Sequence, residues 1–103
     1  MQIQINIGPK IKGNEALVVH FIGVIVQTLC QLNDNITRLE VNLHEENSDT
    51  KSKVKDKRCL IEAQFEDAQP IAVSHIASSL DQAVTGAIDK QLRLIEKNRD
   101  KSD

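Results

Sequence analysis

Residues 2–7 read Gln-Ile-Gln-Ile-Asn-Ile, a strict alternation that puts Ile3, Ile5 and Ile7 on one face and three amides on the other. This predicts a first strand, which Gly8-Pro9 ends. Asn14 and Glu15 then supply a helix start, a capping amide followed by a carboxylate at the positive end of the helix. The spacing predicts helix one over Glu15 to Leu32. Leu17, Phe21, Val24, Ile25 and Leu32 form its core stripe, while Val18, Val19, Ile22 and Val26 carry apolar surface round the far side. Only His20, Gln27, Thr28 and Gln31 remain as a polar arc.

Asn33-Asp34-Asn35 reads as a turn, and Arg38 to Leu43 alternates again with Leu39, Val41 and Leu43 inward. His44 to Lys57 has no periodicity and mixes Lys51, Lys53, Lys55 and Lys57 with Glu45, Glu46, Asp49 and Asp56, which predicts a charged loop. Cys59, Ile61, Ala63 and Phe65 define a third strand. Asp67 to Pro70 turns it into a fourth, Ile71 to Ala77. Ser79-Leu80-Asp81-Gln82 fits a capping box, with Gln82 reaching back, and opens helix two along Leu80, Ala83, Val84, Ala87, Ile88, Gln91, Leu94 and Ile95. The order β-α-β-β-β-α predicts an α+β fold, a four-stranded sheet with both helices packed on one face and a polar opposite face.

The chain has 103 residues, the size of one domain, so residues 1–103 are read as a single unit with a charged tail from about Lys97. Thirteen Lys and Arg against 15 Asp and Glu leave a formal charge of −2, so any contact with phosphate must come from a local patch. Phe21 and Phe65 are the only aromatic residues. A base-stacking platform is therefore excluded, and RNA could be met only through its backbone. Cys30 and Cys59 form no Cys-x-x-Cys pair and no secretory pattern is present, which predicts a reduced, cytoplasmic protein. The longest apolar run, Ala16 to Val26, is too short to cross a bilayer.

Gly8 and Gly13 have the spacing of a phosphate-binding loop, but Asn14-Glu15 stands where Lys and Ser or Thr are required. His20, His44, His75, Cys30 and Cys59 include no metal-ligand pair spacing. Cys59 and His75 could meet across the hairpin, and Glu45-Glu46 is read as a solvated pair. The expectation is a protein with no catalytic residues, no metal and no cofactor. Two features stand out: the basic residues Lys90, Arg93, Lys97, Arg99 and Lys101 of helix two, and the wide apolar arc of helix one. The first suits a phosphate-facing edge; the second suits a homodimer or a protein partner, met through Val18, Val19, Ile22 and Val26.

The element order and the segment Ala83-Val84-Thr85-Gly86-Ala87-Ile88-Asp89-Lys90, followed by Arg93, Lys97, Arg99 and Lys101, resemble the ribosome hibernation-promoting factor family, also called ribosome-associated inhibitors or sigma-54 modulation proteins. The short form of that family is one domain of this size, similar in fold to double-stranded RNA-binding domains. The resemblance implies a translation inhibitor bound to 16S ribosomal RNA on the small ribosomal subunit in stationary phase, without catalytic activity. It also implies that Lys90, Arg93, Lys97, Arg99 and Lys101 are RNA contacts. Family members carry basic residues on helix one as well, whereas Glu15 to Leu32 has none. The alternative is a diverged member that acts as a protein-interaction module and does not bind the ribosome.

Overall fold

Alternating strands that bury one face each need a partner layer, and two amphipathic helices provide it. The computed structural model describes residues 2–8, 14–30, 35–46 and 56–101; the side chains of 14, 30, 46, 56 and 98–101 fall outside that description. Its elements are β1 (Gln2–Ile7), α1 (Asn14–Ile25) continued by a π-helical segment (Val26–Cys30), β2 (Ile36–Glu46), β3 (Asp56–Phe65), β4 (Ile71–Ala77) and α2 (Leu80–Lys101). The strands form one sheet in the order β1-β2-β3-β4. β1 runs parallel to β2, which requires the crossover that carries α1, and the other pairs are antiparallel. The fold is the α+β arrangement expected from the pattern.

Leu39, Val41 and Leu43 of β2 and Cys59, Ile61 and Ala63 of β3 are buried against Phe21, Ile25 and Leu29 of the first helical region and Ala83, Val84, Ala87, Ile88 and Ile95 of α2. Ile3, Ile5 and Ile7 pack against this core from the sheet's edge and stay half-exposed. The opposite face is largely polar. Arg38 Nη2 donates to Gln4 Oε1 at 2.6 Å, Gln4 Nε2 to Asn6 Oδ1 at 3.3 Å, and Asn6 Nδ2 to Asn42 Oδ1 at 3.0 Å.

Several boundaries differ from the sequence reading. Helix one is α-helical only to Ile25. In the wider π turns, residues four apart stay nearly in line, so Leu29 joins Phe21 and Ile25 in the core. Leu32, expected in that stripe, lies outside the described residues. β2 starts earlier than expected because a register irregularity between Ile36 and Arg38 reverses the alternation there. Ile36 turns inward and Thr37 turns out, its hydroxyl donating to Gln64 O at 3.2 Å.

Part of the expected loop is strand. Cross-strand partners Glu45 and Lys57 form an ion pair on the core side, with Glu45 only 10% exposed in its side chain. Opposite charges in register extend the ladder where hydrophobic alternation has stopped. Glu45 is therefore a packed partner of Lys57 and not a solvated loop carboxylate. Lys51, Lys53 and Lys55 fall outside the described residues. On α2, Leu94 points outward at 39% exposure although its spacing placed it in the stripe, while Gln91 is fully buried. Gln91 Nε2 donates to Ile71 O at 3.0 Å and Ile61 O at 3.4 Å, which ties the helix to β3 and β4.

Candidate nucleic-acid interface

The start of α2 is fixed by its cap. Ser79 Oγ accepts from the Gln82 backbone N–H at 3.2 Å, and Ala83 N–H donates to Ser79 O at 3.0 Å. Half of the expected capping box forms; the Gln82 side chain accepts instead from Ser78 Oγ at 3.0 Å. From this anchor α2 runs antiparallel to β4, with Gly86 beside His75 and Gln91 bonded at Ile71. A Cβ at Gly86 would overlap the His75 ring, so glycine is what lets the imidazole lie against the helix.

Lys90 Nζ donates to the Ser74 backbone carbonyl at 2.8 Å, so the flank of α2 that carries Lys90 overhangs β4, an end strand of the sheet. Arg93 and Lys97 follow at three and seven residues and fall on the same flank, both exposed. Arg93 Nη2 also meets Asp89 Oδ2 at 3.0 Å, an exposed pair of small net worth that a phosphate can displace. Asp81, Asp89 and Glu96 lie further round toward α1, where His20 Nε2 stands 3.6 Å from Asp81. The basic surface of α2 is thus a strip along the β4 side. The backbone helix continues through Arg99 and Lys101, whose side chains lie outside the described residues.

At 22 residues α2 is about 33 Å long. β4, with seven residues, spans about 23 Å. With Gln91 bonded at Ile71, the first residue of β4, the helix runs past the end of β4 where it carries Lys97. On α1, Val19 is 73% and Val26 39% exposed, while Val18 and Ile22 are half-buried. The apolar arc read from the sequence is present, and it offers nothing to a phosphate.

Cys59 and His75 are cross-strand partners. Proximity does not make a nucleophile here, because Cys59 is fully buried and burial pushes its thiol from 9.0 up to about 12. Between those two values the unfolded chain binds fewer protons than the folded one. Stability is therefore intact below pH 9 and falls above it, by at most about 1.4 kcal/mol per pH unit. Urea midpoints measured at about pH 8 and about pH 10 should show this loss, and Cys59→Ala should reduce it. Among the described residues no group of three His, Cys, Asp or Glu is placed to hold a metal. No described helix is long and apolar enough to cross a membrane.

This mixed four-stranded sheet covered on one face by two helices is a fold that solved ribosome-associated proteins share. The chain is similar to a ribosomal subunit interface protein from Coxiella burnetii, with a TM-score of 0.74 and 15% identity over 96% of this chain and 98% of that one. It is also similar to the N-terminal domain of Thermus thermophilus Protein Y, with a TM-score of 0.71 and 13% identity over 94% of this chain and 98% of that one. No family model matches the sequence, and no curated protein matches it significantly. The fold is thus that of the ribosome hibernation-promoting factors that the helix-two segment resembles.

Proposed function

We propose that this protein is a ribosome-associated translation inhibitor of the hibernation-factor type. It acts in the cytoplasm by occupying 16S ribosomal RNA on the small subunit, and it carries out no chemistry. The observation that carries this reading is the exposed line Lys90, Arg93 and Lys97 along the β4 side of α2. Arg99 and Lys101 follow in the last turns of the same helix. The fold shared with a ribosomal subunit interface protein supports it. With no Lys or Arg in α1, the α2–β4 edge is the part of the helical layer that faces phosphate.

Co-sedimentation with small ribosomal subunits at about 50 and about 200 mM monovalent salt tests the proposal, because each neutralised phosphate adds about 0.7–0.9 to the salt slope. Five contacts predict an affinity loss of about 100- to 500-fold across that range, and three predict about 20- to 40-fold. The measured ratio therefore counts the contacts. Absence of binding at the lower salt would refute the ribosomal reading.

A further inference from the structure

β1 is the opposite end strand of the sheet, and among the described residues nothing pairs with its outer edge. The phase of its hydrogen bonding is set by Gly8, whose N–H donates to Leu43 O at 2.8 Å. The N–H and C=O of one residue point the same way and alternate along a strand. Gln4 and Asn6 therefore face β2 with Gly8, and Ile3, Ile5 and Ile7 turn both backbone groups outward. Their side chains sit half-exposed on the helix side, while Gln2, Gln4 and Asn6 are exposed on the other face.

Natural sheets usually blunt such an edge with a charge, a proline or a bulge. At the β4 edge Lys90 does this by bonding to Ser74 O. β1 has none of these devices: its six residues hold no charge, no Pro and no irregularity of register. The neighbouring helix continues the same character. His20 faces Asp81 of α2, so Val18, Ile22 and Val26, on the opposite flank of α1, face the β1 side.

We propose that this edge pairs with the same edge of a second copy, β1 antiparallel to β1 about a two-fold axis through Ile5. Ile3 then lies opposite Ile7 of the partner subunit, each such pair exchanging two backbone hydrogen bonds, and Gln4 lies opposite Asn6 of the partner subunit. Charge selects this occupant. Residues 2–7 are uncharged, the one cation on their polar face, Arg38, is already bonded to Gln4, and the exposed titratable groups of α1 are Glu15 and His20, so a charged foreign strand finds no free counter-charge along the edge whereas a second copy meets a neutral, self-complementary strip. The two α1 flanks would meet over the joint, and both α2 strips would remain free at the far ends of the joined sheet.

The test uses light scattering on the intact chain from about 1 to 100 µM. Wild type is expected to approach twice the 11.5 kDa chain mass. Gln4→Glu/Asn6→Glu and Gln4→Lys/Asn6→Lys change exposed side chains and set like charges across the joint, so each variant should weaken the dimer at least about 100-fold. Mixing the two variants should restore it as a heterodimer. A monomer throughout, or a dimer that survives both charge variants, would overturn the proposal. A dimer abolished by Val19→Lys/Val26→Lys but not by the β1 charges would assign the interface to α1 alone. None of these readouts depends on ribosome binding.

Discussion

Reversing two charges on α2, Arg93→Glu together with Lys97→Glu, should remove co-sedimentation with small ribosomal subunits at about 100 mM salt and leave folding nearly unchanged. Both side chains are exposed, and exposed substitutions typically shift stability by less than about 0.5 kcal/mol. The new carboxylate at position 93 sits one turn from Asp89 and costs a few tenths of that unit. Binding suffers twice over, because two phosphates lose their neutralising cations and meet anions instead. The salt slope should fall by about 2, and the affinity by about 100-fold or more. Asp89→Asn supplies the opposite arm: it releases Arg93 from its intramolecular partner and should strengthen binding severalfold. If the double reversal leaves co-sedimentation unchanged, the α2 strip is not the ribosomal surface.

The two helical glycines should respond to alanine with opposite signs. Gly23 is exposed on α1, and nothing lies within 4 Å of an added Cβ, so Gly23→Ala should stabilise by about 1 kcal/mol through helix propensity alone. Gly86→Ala gains the same propensity, but its Cβ overlaps the His75 ring between α2 and β4. Overpacking of this kind costs about 1–3 kcal/mol and must also separate the helix from the strand that Lys90 and Gln91 tie to it. A net loss of about 1 kcal/mol lowers Tm by roughly 5 °C in a domain of this size. Removing the obstacle in His75→Ala/Gly86→Ala should recover most of it. Equal stabilisation by both single substitutions would show that the His75 ring moves aside without cost.

Where one face of an element alternates cleanly, its place was legible in the chain. The β1 and β4 boundaries, the inward residues Leu39, Val41, Leu43, Cys59, Ile61 and Ala63, and the start of α2 at Ser79 all follow from periodicity and capping. What was not legible depends on contacts between segments. The register irregularity that turns Ile36 inward, and the Glu45–Lys57 pair that lengthens β2 and β3, are properties of two strands together. The inward turn of Leu29 depends on a π-helical segment that no local propensity announces. For the candidate site, sequence placed the cations on helix two but could not show that Lys90 also binds an edge carbonyl, or that Asp89 holds Arg93. Those pairings require knowing which flank of the helix overhangs β4.

The parallel pairing of β1 with β2 also sets an order of assembly. β2, β3 and β4 are sequential neighbours and α2 packs on the last two, so that unit closes through connections between consecutive elements. β1 reaches its partner only after the chain has crossed over through α1: Gln2 pairs with Arg38 and Ile7 with Leu43. Loop-closure entropy makes such a long-separation contact late to form, and the unit that forms late in folding is the natural one to open first in the native state. Native-state hydrogen exchange should therefore show β1 and the N-terminal turns of α1 releasing together, with lower protection than β3 and α2. The half of the molecule with the free edge is then also the half that breathes, and a second copy paired along β1 would slow that opening.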